Sequence, residues 1–179
     1  MKNIIKQYSK VVSSISEMST EEAEKLLATV ISDFELTKEV EVGDLINSLN
    51  ELSNKNAVTV DQLLLALSKA SSLASSEDIS PEKVALYAAC SANITRETGG
   101  IIGNALKSFL SRMSNVAEAK EALKEVGIED FSKTNKVVDE LVEKWKILDA
   151  KKKRDVAVKV AGRFNMARFM ILFDQLSKA

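Results

Sequence analysis

The 179-residue chain contains no histidine, one cysteine, one proline and six glycines, and only 5% of it is aromatic. Without histidine, imidazole acid/base catalysis, Ser-His or Cys-His activation of a nucleophile, and imidazole metal ligation are all excluded. A lone cysteine, Cys90, cannot close an internal disulfide or build a thiolate cage, and in the small-residue run YAACSA it reads as a buried free thiol. Pro81 and six glycines leave too little turn chemistry for the many hairpins of an all-β fold. No stretch approaches the ~20 apolar residues that span a bilayer, and no N-terminal segment has the apolar core of a signal peptide. The expectation is a soluble product, intracellular when made, with no stable membrane anchoring.

What the chain does contain is 45% hydrophobic residues and a predominance of Ala, Leu, Glu, Lys and Ser. That composition suits one core of helices, and the fold class expected is all-α, a multi-helix bundle of stacked helical hairpins. The net charge of -1 hides an uneven distribution. Between Glu17 and Glu51 ten acids face Lys25 and Lys38, a local sum of -8; between Glu143 and Arg168 nine bases face three acids, a local sum of +6.

Apolar spacing sets the helices. Ile4, Tyr8, Val11, Ile15 and Met18 recur at 4-3-4-3, predicting a first helix with a narrow seam. Ser19 with Glu22 forms a capping box ahead of Ala23, Leu26, Leu27, Val30, Ile31 and Phe34. After an acidic linker near 38–41, a shorter helix carries Val42, Leu45, Ile46, Leu49 and Leu52 and stops in SNKN. Thr59 with Gln62 makes a second capping box and opens a helix that buries Leu63, Leu67, Ala70 and Ala74 and dissolves into SSLASSED, and Ser80-Pro81 starts the next. Gly127 fits a helix C-terminus before a helix with Val138, Leu141, Trp145 and Leu148. In Val156–Val160 the period of a strand competes with that of a helix, and helix is preferred. The last stretch, RFNMARFMILFDQ, is apolar on too many sides for a helix with one covered face, so deep packing or an interface is expected. These boundaries divide the chain into an N-terminal helix (1–18), a helical core (19–131) and C-terminal helices with a basic connection (132–179).

Three of the six glycines fall within five residues of TRETGGIIGNALKSFLSRM, where each interior glycine costs a helix about 1 kcal/mol relative to alanine. No phosphate-loop lysine follows at the required distance. Gly99 and Gly103, four apart, share one helix face and permit close approach of another backbone, while Gly100 sits at the frayed start. Ile102, Leu106, Phe109 and Met113 continue as an apolar stripe.

Candidate chemistry is sparse. Glu21, Glu22 and Glu24 lie in a first helical turn, where acids complement the dipole, and this reading is preferred to a carboxylate cluster. The run Lys151, Lys152, Lys153 and Arg154 could contact nucleic-acid phosphates, but four charges in a row without interleaved aromatics read better as a solvated inter-helix connection. Trp145 sits on the apolar stripe of its own helix and reads as a core anchor, not a base-stacking platform. No catalytic, cofactor-binding or metal site is expected, and the chain is expected not to be an enzyme.

The segment TRETGGIIGNALKSFLSRM followed by EALKEVGIEDF resembles the core region of tail tape-measure proteins of long-tailed bacteriophages. Upstream, LINSLNELSNKNAVTVDQLLLALSKASSLA and ISPEKVALYAACSANI are similar to successive helices of that core; downstream, LVEKWKIL and VAGRFNMARFMILFD resemble its closing portion. Together these cover about Met18 to Leu176. Gly99, Gly100, Gly103, Leu106, Phe109, Gly127, Trp145, Gly162 and Phe169 are the residues that carry the motifs. The chain departs from the pattern at Ala167, where an asparagine is expected, and in the KKKR run. Family members are normally far longer, so the expectation is an excised piece or a truncated prophage copy. The resemblance implies a structural role inside the growing tail tube, whose ring number the protein's length sets before it is expelled to let DNA pass. It implies as partners other tape-measure copies, tail-tube proteins and tail-assembly chaperones, with a location in the host cytoplasm during assembly and then in the tail lumen. The alternative reading is a cytoplasmic helical nucleic-acid-binding or regulatory module that uses the basic 144–168 region.

Overall fold

Ser19, Thr59, Ser80 and Thr98 each stand in extended backbone and accept, through the side-chain oxygen, the backbone N–H three residues on. Each thereby satisfies an otherwise orphaned donor and fixes where a helix begins. The structure is a computed structural model that describes residues 1–178, and among these the elements are all helical. They are α1 (Lys2–Ser14), α2 (Thr20–Asp33), α3 (Glu39–Lys55), α4 (Val60–Ser76), α5 (Pro81–Thr95), α6 (Gly99–Asn115), α7 (Ala117–Glu125), α8 (Thr134–Trp145) and α9 (Ala150–Lys178).

The chain builds from one end to the other. α1 packs on α2 and α3; α2 packs on α4, and α3 on α4 and α5; α4, α5 and α6 form the middle; α7 and α8 close the far side with α9, which also packs on α5 and α6. A contiguous buried cluster runs through all three layers, from Val12 through Leu27, Leu67 and Leu106 to Phe173. All-α architecture is what the composition predicts, and Val156–Val160 is helical, with Val156, Ala157 and Val160 buried.

Several boundaries differ from the sequence reading. In α1 the buried residues are Ser9 and Val12, while Val11 and Ile15 of the expected seam are more than a third exposed. Ile4, Tyr8 and Met18 of that seam do pack on the core, but the buried face is turned toward Ser9 and Val12; Ser9 tolerates burial because its hydroxyl donates to the Lys6 carbonyl. The supposed linker at 38–41 belongs mostly to α3, whose Glu41 carboxylate accepts the backbone N–H groups of Thr37 and Lys38 at 3.0 Å each. The serine-rich SSLASS stretch is the last part of α4. Ser68 and Ser76 donate back to carbonyls one turn earlier, and Ser71 is fully buried against Asp33. The KKKR run is helical too, forming the start of α9, because the Asp149 carboxylate caps it at the backbone N–H of Lys152, 2.9 Å away. Cys90 is half-buried, a free thiol, and burial pushes its pKa up.

α9 is broken at Gly162, whose φ of 79° and ψ of 166° are non-helical. That backbone region is essentially restricted to glycine. The carbonyls left open at the break are taken by a guanidinium from α6: Arg112 Nε donates to Val160 O at 2.5 Å and Nη2 to Lys159 O at 3.2 Å.

Candidate functional site: the glycine contact and the aromatic cluster

α4 and α6 run parallel, and their contact is made by backbone. A Cβ built on Gly103 would lie 2.6 Å from the Ala66 carbonyl oxygen and 2.8 Å from Ala66 Cα. One on Gly99 would overlap the Gln62 carbonyl oxygen and stand 3.0 Å from its carbon. Gly100, between them, faces open space. The i, i+4 pair of glycines therefore serves close packing, and the third glycine of the cluster takes no part in it.

Gln62 ties the two helix starts together. Its backbone N–H is held by the Thr59 hydroxyl, but its side-chain oxygen does not return to Thr59 to complete a capping box. Instead Oε1 accepts the N–H of Gly99, the first residue of α6. Sequence spacing cannot distinguish these two destinations, because only the fold brings residues 62 and 99 together.

The apolar stripe of α6 leads inward to a cluster built from three separated motifs. Leu106 and Phe109 are buried, and the Phe109 and Phe169 rings meet edge to face at 5.3 Å. Phe169 in turn lies 6.0 Å from the Trp145 ring and 4.6 Å from Phe173. Trp145 is fully buried, and its indole N–H donates to Asp174 Oδ1 at 2.8 Å. Such ring pairs each add about 0.5–1.5 kcal/mol beyond their buried area, so the cluster is a principal anchor of the far side of the bundle. Gly127, with φ of 97°, ends α7: its N–H reaches Lys124 O, and Ile128 N–H reaches Leu123 O.

Past the break at Gly162 the second half of α9 is clamped by an ion pair. Arg168 Nη2 lies 2.7 Å from Glu97 Oε1, and Arg168 Nε 2.8 Å from Glu97 Oε2, a two-pronged contact between α9 and the turn before α6. The hydrogen bonds from Arg168 hold the Glu97 carboxyl below its ordinary value. Phe164 stands out from this helix 86% exposed, so the expected deep packing holds for Phe169, Leu172, Phe173 and Leu176 and not for Phe164.

The basic run does not form one surface. Lys151, Lys152 and Arg154 are exposed, whereas Lys153 is turned inward, its Nζ 3.6 Å from an Asp174 carboxylate oxygen and 5.5 Å from the centre of the Trp145 ring. Lys151, Lys152 and Lys159 share a groove of about 450 Å³ with Glu125, Asp149 and Asp155, so bases and acids alternate around it. Among the described residues no group of three or more acidic or cysteine side chains is placed to hold a metal ion, and no helix is long and apolar enough to cross a membrane. The hydroxyl of Tyr87 is buried with no hydrogen-bond partner.

No solved structure matches the chain. A family model described as phage-related minor tail protein matches residues 4–162, from α1 to the glycine that breaks α9. The match takes in the Gly99/Gly103 contact, the α7 turn at Gly127 and the Trp145 anchor, and with most of the sequence covered the chain belongs to the phage-related minor tail protein family.

Proposed function

We propose that this chain is a segment of a tail tape-measure protein, acting non-catalytically in tail assembly and in setting tail length. The observation that carries this reading is the ordered set of motifs over about Met18 to Leu176. They resemble the tape-measure core and are here joined through Gly103 on Ala66 and Phe109 on Phe169. Those contacts use small residues and aromatics for packing, the chemistry of a module that assembles rather than one that turns over substrate. Within this reading the segment 19–131 is the family-like core, and 1–18 and 132–179 are its flanks. Other copies, tail-tube proteins and tail-assembly chaperones are the partners, met in the host cytoplasm and retained in the tail lumen.

The test is genetic and morphological. In the full-length gene, in-frame deletion or duplication of a helical segment outside residues 1–179 should shorten or lengthen virion tails in proportion, as measured by electron microscopy. Tails of unchanged length would sink the length-setting reading. Genes for tail tube, chaperone and baseplate beside this one would support it.

A further inference from the structure

Charge is segregated by the fold. Residues 1–55, which form α1 to α3, sum to -4; residues 56–115 sum to zero; residues 116–178, which form α7 to α9, sum to +3. Because α2 packs on α1 and α4 whereas α8 packs on α6 and α9, the acidic and basic parts lie on different layers of the bundle.

Each part also presents apolar surface. Where the α1–α2 connection meets α2 and α4, a groove of about 500 Å³ has Met18, Leu26 and Leu65 as its apolar lining and Glu17, Glu22 and Asp61 at its rim. The base beside it, Lys25, is already engaged by Glu21 at 3.8 Å. In the α8–α9 connection Ile147 stands 82% exposed; Lys146 beside it is engaged by Glu143 at 3.2 Å, and the exposed Lys151, Lys152 and Arg154 lie just beyond Asp149. An isoleucine that exposed, in a stretch (143–154) where six bases outnumber Glu143 and Asp149, has the form of a partner for an apolar groove rimmed by acids.

We propose that the α8–α9 tip of one copy docks into the acidic groove at the α1–α2 connection of a second copy, with Ile147 against Met18, Leu26 and Leu65 and the lysines against Glu17, Glu22 and Asp61. Groove and tip are different surfaces, so the contact is head-to-tail, leaving each pair with one groove and one tip free for further copies. The contact is small and edged with exposed charge, so association is weak and is screened by salt over a Debye length. The inference rests on the groove and the tip alone and does not depend on the length-setting role.

The test is sedimentation equilibrium of the 179-residue chain at about 20 mM and about 500 mM sodium chloride. The average mass should rise with protein concentration at low salt and return toward the monomer at high salt. Lys151→Glu/Lys152→Glu and Glu17→Lys/Asp61→Lys should each be monomeric alone, since each presents like charges on groove and tip. Mixed, they present opposite charges and should associate again. Ile147→Ser, at a position too exposed to affect folding, should weaken association by about tenfold with an unchanged melting temperature. A monomer at low salt and high concentration, a folded mixture that does not associate, or association indifferent to salt and to Ile147→Ser would each overturn the proposal.

Discussion

Gly103 lies against the backbone of Ala66 so closely that a single added carbon would meet the carbonyl oxygen at 2.6 Å. Side chains in a core can rotate away from an intruding methyl; a helix backbone cannot without moving the helix. The gain in helix propensity on replacing glycine, about 1 kcal/mol, therefore loses to the overlap.

Gly103→Ala and Gly99→Ala should each destabilise the fold by about 1–3 kcal/mol, and Gly103→Leu by at least as much. Gly100→Ala should leave stability unchanged or raise it by about 0.5 kcal/mol, because nothing lies within 4 Å of the new carbon. Urea denaturation of the three alanine variants checks the contrast, and equal stabilities would show that the close approach does not exist.

Trp145 is the only tryptophan and is fully buried between Phe169, Phe173 and the Lys153 ammonium. Its fluorescence should be blue-shifted in the native state and shift to the red on unfolding. Trp145→Ala should cost about 3–5 kcal/mol through the cavity left in the aromatic cluster, measured by the shift of the thermal midpoint in circular dichroism.

Gly162 has room for a side chain but not the backbone for one, since φ is 79° and no neighbour lies within 4 Å of an added Cβ. Gly162→Ala should therefore destabilise by about 1–3 kcal/mol through conformation alone. Arg112→Ala, which strips the guanidinium from the carbonyls of Lys159 and Val160, should cost about 1–3 kcal/mol at the same break. Chemical denaturation reads both.

The Glu97–Arg168 pair gives stability a pH dependence of known sign. The Glu97 pKa is lowered from its ordinary 4.5, chiefly by the hydrogen bonds from Arg168. Its contribution is complete above 4.5 and is lost as pH falls through the lowered folded-state value. Glu97→Gln should lower stability at neutral pH by about 1 kcal/mol, the pair being partly exposed, and the gap to the unaltered chain should close below pH 4.5. Melting temperatures measured across pH 3–7 test it, and a gap that persists at the acid end would refute the assignment.

Helix starts were the most legible feature of the chain. Ser19, Thr59 and Pro81 act through neighbours within three residues, so their roles survive any choice of tertiary partner. The serines after Leu67 and the lysines after Asp149 misled for the same local reason. Their loop-like composition argues for coil, but buried Ser71 and Ala74, and Val156 and Ala157 one turn beyond the bases, hold those segments helical. In α1 the spacing admits two adjacent faces, and the packing of α2 and α3 selected Val12 over Val11.

Composition and periodicity determined the class of this protein: helices throughout, no imidazole chemistry, and a pair of glycines four apart that only a close packing partner explains. They did not identify that partner. That Gly103 rests on Ala66, that Gln62 caps α6 rather than α4, that Phe109, Trp145 and Phe169 meet, and that Arg112 closes a break at Gly162 were decided by tertiary structure. Periodicity records which face of a helix avoids water, a property of the segment alone. The choice of partner depends on how all the faces fill one interior at once, and no single segment contains that information.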